Sequence, residues 1–152
     1  RIAGSEDNYY AMLENSFMIS ADNAHALHPN HPELSDKDNA PILGSGVVIK
    51  HNGNQRYTTD GVSDAILRAV ADKAGIKTQH YYNRADLPGG STLGSIATTK
   101  VSLSSVDIGL AQLAMHSANE TASTSDYLDM EKLMCAFYST YLVKQGNKTE
   151  IK

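Results

Sequence analysis

Residues 17–32 constrain this chain more than any other stretch. They read Phe-Met-Ile-Ser-Ala-Asp-Asn-Ala-His-Ala-Leu-His-Pro-Asn-His-Pro. The apolar start suits a short buried strand. Pro29 and Pro32 then forbid a regular helix, because proline lacks the N–H of the helical ladder and clashes with the preceding turn. The stretch must run from strand into loop, placing Asp22 at a strand end and His25, His28 and His31 in the loop beyond it. Open α/β sheets build their sites at strand ends, so one carboxylate and three imidazoles are the first candidates for chemistry.

The rest of the chain alternates two periodicities. Ser5 is placed to cap a helix over 5–15 with Tyr9, Met12 and Leu13 on one face. Residues 33–46 are polar and punctuated by Pro41, Gly44 and Gly46, which predicts a mobile surface excursion. Val47 to Lys50 is a second, β-branched strand, continued by His51 to Tyr57 as a bend or short hairpin with Gly53 at its turn. Thr59 or Asp60 caps the next helix, whose apolar stripe is Val62, Ile66, Leu67 and Val70, and Gly75 is its expected terminator. Ile76 to Tyr82 begins a third strand, and Leu87 to Gly94 is a glycine-rich turn into a helix reaching about Lys100. Free N–H groups at Ser91 and Thr92 would point into whatever lies at that turn. Val106 to Gly109 is a fourth strand, leading through residues 110–115 to His116. Ser125 is expected to cap a long final helix over 126–143, with Leu128, Leu133, Met134, Phe137, Tyr138 and Tyr141 on its apolar side. Strands and helices alternating in units of about 25 to 30 residues predict a three-layer α/β sandwich with a mixed β-sheet.

Charge and hydropathy exclude some functions. The formal charge is −4 and the 13 Lys and Arg are scattered, so nothing supports nucleic-acid binding. No apolar run approaches the roughly 18 residues of a membrane span and no signal-like pattern opens the chain, which makes a cytoplasmic location the expectation. The single cysteine, Cys135, cannot form an internal disulfide and sits in an apolar helical pattern, where it reads as packing.

Taken singly, each candidate has two readings. His25, His28 and His31 could bind metal or bond loop carbonyls. Asp22 could be a ligand or a turn cap. Gly89 to Thr92 lacks both the full Gly-x-Gly-x-x-Gly spacing and the P-loop lysine, leaving a close approach of backbone to some other ligand. His116, alone after an apolar run, could be structural or functional.

Four stretches together resemble successive motifs of the M18 metalloaminopeptidases: Ser20 to Asn30, Val48 to Tyr57, Pro88 to Gly94 and Asp107 to Ser117. The resemblance runs from about Asn15 to Leu142 and is closest to the aspartyl aminopeptidase branch. It implies a zinc-peptidase fold of the phosphorylase/hydrolase type, with two zinc ions per intact site, releasing an N-terminal residue from a peptide. On this resemblance Asp22 binds one zinc and His116 the other, and His25 contacts substrate near the scissile carbonyl. Lys50 and Tyr57 hold an acidic side chain, which favours Asp or Glu, while Gly90 and Ser91 line the pocket. His28 and His31 receive no role.

The family also carries a first zinc-binding histidine, a bridging aspartate, a Glu-Glu pair with the general base, and a dimerisation domain, none of which is found in residues 1–152. The expectation is therefore the C-terminal portion of a catalytic peptidase domain, inactive alone, that works with the N-terminal half of the same enzyme in a homo-oligomer. The competing expectation is a non-catalytic zinc-binding module using the 25–31 histidines, or an assembly subunit of an inactive paralogue.

Overall fold

The structure is a computed structural model that describes residues 2–146 and 148–152. In chain order the elements are α1 (Glu6–Glu14), β1 (Phe17–Ala21), β2 (Ala24–His25), β3 (Val47–His51), α2 (Gly61–Lys73), β4 (Thr78–Tyr82) and α3 (Leu93–Thr98). There follow β5 (Ser104–Gly109), β6 (Ala111–Leu113), β7 (Thr121–Ala122), α4 (Thr124–Tyr138), β8 (Leu142–Gln145) and β9 (Lys148–Ile151). The main sheet has the order β1-β5-β3-β4. It is mixed: β1 runs parallel to β5 and β3 to β4, while β3 and β5 are antiparallel.

Strand alternation builds two faces from one sequence. Val47 and Ile49 of β3, with Val106 and Ile108 of β5, pack against Leu67, Val70 and Ala71 of α2 and Leu133 of α4. Val48 instead joins Ala24, Tyr57, Tyr81 and Ala111 on the opposite face. α3 covers that second face beside β1 and β5, where Gly94 N–H donates to Ser20 Oγ at 3.1 Å. A Cβ on Gly94 would crowd both Ser20 and the Asp107 carboxylate, so this close approach needs glycine. The three layers of the expected α/β sandwich are thus present.

The starts of α1 and α2 follow their expected caps, whereas α4 begins at Thr124 with Ser123 rather than Ser125 at its N-cap position and no side-chain cap bond. Ser5 Oγ accepts from Asn8 N–H at 3.2 Å at the start of α1. Asp60 heads α2 in a reciprocal capping box: its carboxylate accepts from Val62 and Ser63 N–H at 3.0 and 2.7 Å, and its own N–H donates to Ser63 Oγ at 2.9 Å. Gly75 takes the left-handed conformation, φ 69°, expected of a terminator.

Several expectations are corrected. α4 ends at Tyr138, and residues after it form β8, paired antiparallel with β9. Backbone bonds in both directions between Tyr141 and Lys152 close the β8–β9 pair. The spacing of Phe137, Tyr138 and Tyr141 imitated a continued helical face, but Tyr138 and Tyr141 are exposed, as is Leu128. Val62 lies outside the buried stripe of α2, which runs through Ile66, Leu67 and Val70. Cys135 is exposed rather than packed. Residues 52–57 turn without forming a hairpin.

The excursion of residues 33–46 is also better held than its composition suggests. Pro41 is fully buried. Asp126, itself fully buried on α4, accepts from Gly44 and Gly46 N–H at 2.8 and 3.0 Å. From β4, Gln79 bonds both backbone groups of Ile42.

Candidate active site

Asp22 leaves β1 where β1 and β5 continue past their ends as a second pairing. Asp22 N–H donates to Ile108 O and Ala24 N–H to Leu110 O, both at 2.9 Å, before β2 pairs with β6. Gly109 makes this possible, because a Cβ there would collide with the Asp22 carbonyl. Asn23 fixes the turn by donating to Gln112 Oε1 at 2.6 Å and accepting from Leu110 N–H at 3.1 Å. The carbonyls of Asp22 and Asn23 are thereby aimed at Lys50, whose Nζ donates to them at 3.2 and 3.1 Å.

Lys50 stands on the Val48 face of β3 and is only 2% exposed. Its third neighbour is Asp22 Oδ2 at 3.5 Å, and Nζ lies 4.6 Å from the centre of the Tyr57 ring. Burial pushes the ammonium below the usual lysine range, opposed by the carboxylates of Asp22 and Asp107. Burial also drives the Tyr57 hydroxyl up to about 12, helped by Tyr81, Asp107 and Asp22. Tyr57 therefore stays protonated and able to donate at any working pH.

Asp107 organises the walls. Buried in β5, it accepts from Thr58 N–H at 2.6 Å, Thr58 Oγ1 at 2.8 Å and Thr92 Oγ1 at 2.6 Å. One carboxylate thus ties the Tyr57 loop and the Gly90–Ser91 turn to the same strand. The opposite rim carries His25 and His116. Partial burial, then the nearby His116 and Lys50, holds His25 below the ordinary histidine value. His116 is exposed, sits at φ 69° and donates its N–H to Glu120 Oε1 at 2.6 Å. Such a backbone is uncommon for a non-glycine residue.

Asp22, His25, Lys50, Tyr57, Gly90, Ser91 and His116 all line one cleft of about 440 Å³, with Tyr81, Asn83 and Met115 among its further walls. The histidine cluster resolves differently. His28 Nδ1 accepts from Asn30 N–H and His31 pairs with Glu33 at 3.1 Å, so both are engaged within their own loop although they too line the cleft, while His25 lies near enough to His116 and Lys50 to be influenced by their charge. Sequence reasoning missed Asp107, although a carboxylate between Val106 and Ile108 in a core strand is itself a signal of a buried polar contact.

The family model described as "Aminopeptidase I zinc metalloprotease (M18)" matches residues 1–138. The chain belongs to the M18 family. A probable M18 family aminopeptidase 2 of Clostridium acetobutylicum is 42% identical over 136 residues, 90% of this chain and 31% of that protein. A chain of the cryo-EM structure of the Ape4 and Nbr1 complex superposes with a TM-score of 0.87 at 35% identity, covering 89% of this chain and 26% of that one. The S. cerevisiae mApe1 dodecamer matches at TM-score 0.76 and 27% identity, over 86% of this chain and 28% of its own. This M18 chain spans about a third of the length of the curated relatives it matches.

The M18 description implies zinc, and the cleft offers suitable donors. Asp22 provides a carboxylate that is 57% exposed and loosely held, while His116 provides an exposed imidazole, an oxygen and a nitrogen donor of the kinds zinc takes. Among the described residues no helix is long and apolar enough to cross a membrane.

Proposed function

We propose that this chain is the C-terminal portion of an M18 peptidase domain and forms one wall of a two-zinc aminopeptidase site that releases acidic N-terminal residues. The observation that carries the reading is the convergence of Asp22, His25, Lys50, Tyr57 and His116, from separate elements, on one cleft. Asp22 and His116 would each hold one zinc ion. When bound, zinc supplies Lewis-acid polarisation of the scissile carbonyl.

The chain's own residues would do the rest. His25, held neutral by its surroundings, can donate one hydrogen bond to the peptide beside the reacting carbonyl. Lys50 and Tyr57 recognise the departing acidic side chain. Two of the three Nζ donors are already committed to backbone carbonyls, and the third faces Asp22 at 3.5 Å. Turning Asp22 toward a metal would free that donor for a substrate carboxylate, with the Tyr57 hydroxyl as a second donor. Gly90 and Ser91 let the peptide backbone approach closely. The general base and the bridging ligand would come from the N-terminal half, and a homo-oligomer is in keeping with the dodecamer among the structural matches.

The test compares release of Asp and Leu from short peptides by the protein containing this chain together with its N-terminal half, and by its Lys50→Met variant. The expected result is an Asp preference lost at least tenfold in Lys50→Met, with Leu release less affected. Equal loss for both peptides would overturn the specificity; no release of either by the parent would overturn the activity.

A further inference from the structure

A second group of ligand atoms lies on the other face of the sheet. Consecutive strand residues point to opposite sides, so His51 leaves the cleft to its neighbour Lys50 and faces α2. His80 of β4, in register opposite Ile49, faces the same way. Asp64 in the first turns of α2 comes to meet them. His51 Nε2 lies 3.0 Å from His80 Nδ1, and Asp64 Oδ1 lies 3.9 and 4.0 Å from these two nitrogens. Among the described residues these are the three ligand-bearing side chains gathered within 4.8 Å of one another.

We propose that His51, Asp64 and His80 form a zinc-type divalent metal site. The proposal stands on geometry and on one unpaired atom. Asp64 is 8% exposed, and its Oδ1 has no hydrogen-bond partner although it is buried. A buried carboxylate oxygen without a donor is costly, and a cation between it and the two imidazoles removes that cost. The other oxygen, Oδ2, is held by Arg68 through Nε at 3.0 Å and a terminal nitrogen at 2.9 Å, which keeps Oδ1 turned toward the histidines. Outer partners that orient a ligating carboxylate in this way are usual around metals. His51 is stacked on Tyr82 with ring centres 4.7 Å apart and planes 6° from parallel, so its ring is oriented as well.

The separations suit the ion. Bonds of about 2.0 to 2.1 Å in a tetrahedral arrangement place donor atoms about 3.3 Å apart. The observed 3.0, 3.9 and 4.0 Å bracket that value, so small rotations of His80 and Asp64 close the site. The His80 side chain is 37% exposed and offers both the entry path and room for water as fourth ligand. Two imidazoles and one carboxylate favour zinc over calcium or magnesium, which take oxygen donors. The ion would clasp the end of β3 and the middle of β4 to the start of α2.

Metal-stripped protein is titrated with zinc alone, and ions retained after gel filtration are counted for the parent, His80→Gln and Asp22→Asn. The site predicts that His80→Gln retains one ion fewer than the parent, or binds it at least tenfold more weakly, and that Asp22→Asn keeps this ion. Equal retention by His80→Gln and the parent overturns it. Should His80→Gln fail to fold, the ring signals of His51 and His80 are followed by NMR in the unaltered protein. Both should shift together as zinc is added, and unmoved signals overturn the proposal.

Discussion

Replacing Asp107 tests whether one buried carboxylate holds the walls of the cleft. In Asp107→Ala, Thr58 Oγ1 keeps Ser105 Oγ at 2.6 Å and the Thr92 hydroxyl can turn to another acceptor. The backbone N–H of Thr58 has no such substitute and is left unpaired. An orphaned buried donor costs about 1 to 3 kcal/mol, and the vacated volume adds about 1 kcal/mol. Lys50 also loses one of the two carboxylates that favour its charge. The expected loss is about 2 to 4 kcal/mol, or roughly 4 to 16 °C in Tm for a domain of this size. Asp107→Asn should cost only about 1 kcal/mol, because its oxygen can serve Thr58 while its amide donates to Thr92. Urea melts of the three proteins, compared at equal slope, provide the assay. An alanine variant within about 0.5 kcal/mol of the parent, the range of ordinary surface changes, would refute the reasoning.

Three further outcomes are expected. Gly109→Ala drives a Cβ into the Asp22 carbonyl and should cost more than about 3 kcal/mol, read as loss of the cooperative thermal transition. Asp126→Asn sets an amide against one of the two N–H groups of Gly44 and Gly46; about 2 kcal/mol should be lost, with faster hydrogen exchange at both amides. Finally, the Tyr57 hydroxyl ionises near 10 when unfolded and about 12 when folded, so the folded state keeps this proton longer. Its contribution is intact below pH 10 and is lost as pH rises through 12. Tyr57→Phe should remove that part of the alkaline destabilisation, a ceiling of about 2.7 kcal/mol, measured by melts across the same range.

The parts legible in sequence were those whose cause is local. Val47 to Ile49 announces a buried strand by β-branching, Asp60 and Gly75 punctuate α2, and Pro29 and Pro32 exclude a helix. Of the cleft residues, Asp22 was legible at a strand end and His25 in the loop beyond it, whereas Lys50, Tyr57, Gly90, Ser91 and His116 were singled out by the resemblance to the M18 motifs. What stayed hidden depends on pairing. The β8–β9 ladder rests on bonds between Tyr141 and Lys152 that no helical wheel displays. The anchoring of residues 41–46 comes from Asp126, distant in sequence. His51, Asp64 and His80 have no motif spacing; β3–β4 register and the seat of α2 bring them together.

The alternation along β3 carries a consequence for insertions and deletions. Lys50 and His51 are adjacent in the chain yet serve opposite faces, so the loss of a single residue just before Val47 would exchange their surroundings. Lys50 would be carried into the apolar layer beneath α2, and His51 into the cleft. Gly46 guards this frame: its φ of 104° and the Lys77 backbone crowded against it admit no side chain, and its N–H is held by Asp126. Length changes in the preceding excursion are therefore tolerable ahead of Pro41 and ruinous between Gly44 and Val47, so the reading frame of both faces is set at a single glycine.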